Sequence, residues 1–125
     1  MHIVIAGGTG FIGRGLCRTL VAAGHHVTVL SRTPREASLI LGPSITTVEW
    51  DGVQRGFWER ALDEADAVVN LAGEPIAGGR WSDSRRRLLR DSRLGTTRLL
   101  VHTLGHCQDR PRTFVSASGI GIYGS

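Results

Sequence analysis

The chain has 125 residues and a mass of 13.5 kDa, with 41% hydrophobic and 21% charged residues; this is apolar material for one core and too little for two, so 1–125 reads as one domain. No apolar run nears the roughly 20 residues of a membrane span, and HIVIA runs into glycine too early for a secretory segment, which excludes both and leaves a cytoplasmic protein as the expectation. A net charge of +4, with all 15 basic residues arginine and no lysine, suits an anionic small molecule and only weakly suggests nucleic acid.

The β-branched run 2–6 ends in Gly7-Gly8-Thr9-Gly10, after which Ile12, Leu16, Cys17, Leu20 and Val21 recur at helical spacing up to a closing Gly24. HVTVLS at 26–31 is a second strand, apolar enough to be buried on both faces, as parallel sheets require. Pro34 opens a short helix over 34–41 that Gly42-Pro43 ends, and a third strand is predicted at 45–50, followed by the turn Asp51-Gly52. A modest helix over 54–64 precedes a fourth strand at 66–72, which breaks at Gly73-Glu74-Pro75. Ser82 can cap a long helix to about 105–107 with its arginines mostly outward, and 112–118 is a fifth strand. This alternation predicts an α/β, doubly wound parallel sheet of the Rossmann-like class in the order 3-2-1-4-5. The fifth strand would leave an apolar edge, so a further C-terminal region or a homo-oligomer is expected to cover it.

Cys17 and Cys107 have no CxxC or CxxH neighbour and are read as buried thiols, with no metal site expected. The strongest chemical signal is Gly7-Gly8-Thr9-Gly10-Phe11-Ile12-Gly13 between strand and helix. One glycine makes the tight turn, the next lets backbone N–H groups approach a pyrophosphate, and Gly13 lets the helix press inward. Ser31-Arg32 follows at the end of strand two, where an acid would hold the ribose 2′-OH of NAD; a hydroxyl and a guanidinium suit a 2′-phosphate, which predicts NADP, with Arg35 as a second contact. A solvated loop arginine is the plainer reading of Arg32.

GGTGFIG at 7–13, NLAGEPI at 70–76, RWSDSRRRLLRDSRLGTTRLLV at 80–101 and SASGIGIYG at 116–124 together resemble the atypical extended short-chain dehydrogenase/reductases, in the branch labelled nucleoside-diphosphate-sugar epimerase. The likeness covers the whole chain but only the N-terminal, NADP-binding portion of such a protein. It implies that Gly7, Thr9, Gly10, Phe11, Ile12 and Gly13 line the pyrophosphate and that Ser31 and Arg32 hold the adenosine end. It further implies that Asp51 lies near the adenine, that Leu71, Ala72, Gly73 and Glu74 run under the nicotinamide ribose, that Ser116 lies by the cofactor, and that Ser118 bonds a substrate oxygen. Asp51 also reads as a plain turn residue, Glu74 as a solvated loop carboxylate, and the two serines as ordinary strand-end residues.

The family scheme pairs a Tyr with a Lys four residues on, and here the sequence departs from it: the one tyrosine is Tyr123 and there is no lysine. An unassisted phenol is a poor base at neutral pH, and arginine does not substitute for lysine in this role. The chain by itself is therefore expected to be inactive. The resemblance implies an epimerase or oxidoreductase acting on a nucleotide-sugar-like or other small hydroxyl or carbonyl substrate; the competing reading is a non-catalytic NADP-binding sensor or interaction module. RRRLLR at 85–90 lacks interleaved aromatics and reads as a solvated helix face, so no nucleic-acid partner is expected. His25-His26 and the tryptophans read as structural, and mid-helix Gly95 as a site of close packing.

Overall fold

The computed structural model describes residues 1–71, 83–107, 109 and 111–116. Its strands are β1 (His2–Ala6), β2 (His26–Ser31), β3 (Thr46–Glu49), β4 (Ala67–Asn70) and β5 (Thr113–Ser116). Its helices are α1 (Phe11–Ala22), α2 (Pro34–Leu41), α3 (Glu59–Asp63) and α4 (Asp83–His106). The strands form one sheet in the order β3-β2-β1-β4-β5, parallel at every pairing, as the alternation of elements predicts.

Alternation along the central strands divides the core between two faces. On β1 and β2, Ile3, Ile5, Val27 and Val29 pack with Cys17 of α1 and Ile45, while Val4, Ala6 and Leu30 face Trp50, Trp58, Leu62 and Leu100 on the other side. Strands buried on both faces need apolar residues at every position, which is why 2–6 and 26–31 lack the polar alternation of a half-exposed sheet. Leu62 and Leu100 are fully buried and hold α3 and α4 to the sheet, each worth about 1.5–3 kcal/mol. The two tryptophans meet edge to face at 5.3 Å, and the Trp58 indole donates to the Gln54 carbonyl, so both are packing residues. His26 stacks on His2 at 4.5 Å and His25 Nδ1 lies 3.2 Å from the terminal amine, which makes this pair structural as well.

Three expectations change. The helix expected over 54–64 contracts to Glu59–Asp63, because the Asp51 carboxylate captures the Val53 and Gln54 amides and holds the preceding residues in a turn. Cys107 is half-buried, past the last turn of α4 with its thiol on the Thr103 carbonyl; only Cys17 is fully buried, and burial pushes its thiol pKa up. Gly95 is exposed, and among the described residues an added Cβ would meet nothing within 4 Å, so none of them accounts for it. β5 forms one edge of the sheet and Val115 on it is half exposed. No helix among the described residues is long and apolar enough to cross a membrane.

Candidate functional site at the carboxyl ends of the strands

Because all five strands run the same way, the segments leaving their carboxyl ends gather on one side of the sheet. The chain passes outward from β1 through β2 to β3, then starts again on the other flank with β4. The crevice above β1 and β4 is thus the topological switch point, where open α/β sheets take their ligands.

The glycine turn stands at this crevice, and its four glycines answer to different demands. Gly7 has φ +83°, a conformation side chains rarely adopt, and its carbonyl accepts the Gly10 amide at 3.3 Å to close the turn. A Cβ on Gly8 would stand 2.8 and 2.9 Å from the Val29 methyls, and one on Gly13 would stand 2.5 Å from the Gly7 carbonyl oxygen and 2.7 Å from Gly8 Cα. Gly10 is different: its φ of −71° is ordinary, and among the described residues an added Cβ would meet only the Gly7 oxygen, at 3.6 Å. No described neighbour excludes a side chain there, and the bare backbone leaves room for a group to approach from outside.

That approach ends on the start of α1, where Gly10 is the cap. No side chain caps the helix, and its first turn carries no acid. The leading amides therefore point their hydrogens, and the positive end of the helix dipole, at whatever occupies the crevice. Phe11 and Ile12 flank the opening, 89% and 69% exposed. Donors, dipole and an open backbone surface together fit a diphosphate; among the described residues no cluster of three His, Cys, Asp or Glu could hold a metal.

Next to this cradle, Ser31 ends β2 and its hydroxyl accepts the Thr33 amide at 3.1 Å, which leaves its own hydrogen free to donate. Arg32 is exposed alongside. Across the strand ends, the Trp50 amide bonds the Ser31 carbonyl and brings Asp51 into the same corner. Asp51 Oδ1 accepts both the Gln54 and Val53 amides at 2.8 Å. Those two bonds, with a smaller contribution from the Arg32 charge, hold its carboxyl below the usual range. A carboxylate held down in the folded state stabilises above its ordinary pKa, and that contribution fades as pH falls through the lowered value. In acid titrations followed by circular dichroism, the stability gap between wild type and Asp51→Asn is expected to close below the ordinary carboxylate range; a gap independent of pH would refute this role.

Leu71 donates its amide to the Ala6 carbonyl at 2.8 Å and turns its side chain into the α1 face of the core, so its backbone is the part that borders the crevice. Ser116 lies at the end of β5, opposite Asn70 in register. Ala72, Gly73, Glu74 and Ser118 lie outside the described residues, as do Trp81 and Tyr123.

Two further residues shape the site through partners distant in sequence. Gly8 lies against Val29 on the neighbouring strand. Asn70 is buried at 3% exposure, and its amide donates to Thr97 Oγ1 of α4 at 3.2 Å and to Ser116 Oγ at 3.5 Å. It ties β4, β5 and α4 together directly beneath the crevice. An amide at an inward position of the otherwise apolar AVVNLA is the signal in the sequence. Asn70→Ala is expected to cost about 1–2 kcal/mol by stranding these partners, read as a lower urea midpoint at unchanged m-value; an unaltered midpoint would show that the tie is idle.

Comparison with known proteins agrees with this geometry. The profile described as the NAD dependent epimerase/dehydratase family matches residues 3–125. The chain is 36% identical over 127 residues to Epimerase family protein YfhF of Bacillus subtilis (strain 168), covering 100% of this chain and 40% of that protein. It is 37% identical over 125 residues to human Epimerase family protein SDR39U1, covering 98% and 38%. The crystal structure of human SDR39U1 (isoform2) with NADPH superposes with a TM-score of 0.71 at 34% identity, over 99% of this chain and 38% of that one. The chain thus spans about two-fifths of the length of these relatives.

Proposed function

The chain belongs to the NAD dependent epimerase/dehydratase family, and from that membership we propose that it is the NADP-binding part of an extended short-chain dehydrogenase/reductase-like epimerase or oxidoreductase. The observation that carries this reading is Gly10, where no described neighbour stands closer than 3.6 Å to an added Cβ and the bare backbone suits a pyrophosphate laid against the start of α1. Gly7, Thr9, Phe11, Ile12 and Gly13 complete the cradle. Ser31 donates to, and Arg32 pairs with, a 2′-phosphate, and the absence of an acid at the end of β2 removes the usual partner of an unmodified ribose. The NADPH in the human relative's structure supports the same cofactor.

Asp51 closes the adenine side and Leu71 to Glu74 the nicotinamide ribose side, with Ser116 beside the cofactor and Ser118 on the substrate side. When bound, the nicotinamide supplies hydride transfer; this chain's residues supply grip, orientation and choice of cofactor. The substrate is a small hydroxyl or carbonyl compound of nucleotide-sugar type. Calorimetric titration of the full-length protein with NADPH and NADH tests the reading: tighter binding of NADPH is expected, and a folded protein that takes up neither would overturn it.

A second reading, a non-catalytic NADP-responsive module, draws on the absence of lysine and the single tyrosine, which leave 1–125 without a Tyr-Lys pair. Hydride transfer by the full-length protein to any substrate in a carbonyl panel would reject it.

A further inference from the structure

On the face of the sheet that carries α1 and α2, a pocket of about 260 Å³ opens between the two helices. None of residues 7–13 lines it. Its floor is Cys17 and Val21 of α1, Leu41 at the end of α2, and Ile45 leading into β3, so it lies toward the amino ends of the strands, away from the crevice. The volume is just under the roughly 300–1,000 Å³ of pockets for drug-sized ligands and would take roughly eight groups the size of a water molecule.

The charge around this apolar floor is one-sided. Arg14 and Arg18, one turn apart on α1, stand on its wall, Ser44 adds a hydroxyl, and no acidic residue lines it. Among the described residues neither guanidinium is hydrogen-bonded or ion-paired; Arg55–Glu59 is the salt bridge found there. Like charges at i,i+4 oppose each other, and Arg14 also sits near the positive end of the helix dipole. Helix α1 has no acid of its own to relieve either strain.

We infer that the α1–α2 pocket binds a small amphipathic anion, an aliphatic body seated on Val21, Leu41 and Ile45 above the buried Cys17, with a carboxylate held by Arg14 and Arg18. The planar forks of two arginines suit a carboxylate, and the apolar floor excludes a bare inorganic ion as the whole ligand.

The test uses the full-length protein, methyl-labelled and titrated with octanoate while NADPH binding reports an intact fold. Shifts are expected at Val21, Ile40, Leu41 and Ile45, with 1-octanol and acetate both binding more weakly. Arg18→Gln is expected to weaken octanoate about fivefold and leave NADPH affinity unchanged. The inference is overturned if octanol binds as well as octanoate, if Arg18→Gln has no effect, or if NADPH displaces the octanoate. Inorganic phosphate shifting the same methyls equally, or a second copy of the chain occupying the pocket in a concentration-dependent mass measurement, would also overturn it.

Discussion

Gly13→Ala is expected to destabilise the protein by about 3 kcal/mol and to abolish cofactor binding, although alanine is the better helix former by about 1 kcal/mol. The clash decides the sign: the new methyl would fall 2.5 Å from the Gly7 carbonyl oxygen and 2.7 Å from Gly8 Cα, and neither is the yielding end of a flexible side chain. Either α1 lifts away from the turn or the turn opens, and both displace the leading amides. Gly10→Val is the contrasting variant, because its Cβ would meet no described atom closer than 3.6 Å. Valine caps a helix less well than glycine, so that variant should lower the thermal midpoint by only a few degrees while losing NADPH. For a domain of this size Gly13→Ala should lower the midpoint by about 10 °C. If both variants unfold early, or both still bind, the division of labour among the glycines is wrong.

Arg32→Ala is expected to weaken NADP about 10- to 100-fold, the worth of a charge-assisted bond to phosphate, and to leave NAD unchanged. The proposed preference of wild type for NADP is expected to shrink with added salt, because Arg32 is exposed and a pairing there is screened. Equal losses for the two cofactors would assign Arg32 to the shape of the β2 end rather than to the phosphate.

The fold was legible because local signals agreed with one another. Glycine or proline closed each early element, 26–31 had few polar interruptions, and strand order followed from parallel connectivity, so β3-β2-β1-β4-β5 could be written from the sequence. Element ends were legible only where backbone donors had no rival. Asp51 removed two amides from the start of the α3 region, and a turn carboxylate and an adenine ligand look alike in sequence. The glycine turn and the place of Ser31-Arg32 at the end of β2 could be read because they depend on neighbours in the chain. Asn70 and Gly8 depend on Thr97, Ser116 and Val29, partners that only the folded sheet brings near.

The contact between Gly8 and Val29 makes two otherwise distant positions answer to each other during evolution or design. A chain that gains a methyl at 8 must give up bulk at 29, so Val29→Ala should rescue Gly8→Ala in a double-mutant cycle. Efforts to raise thermal tolerance by enlarging residue 29 would instead press directly on the loop, which caps how heavily this strand can be packed before ligand uptake suffers.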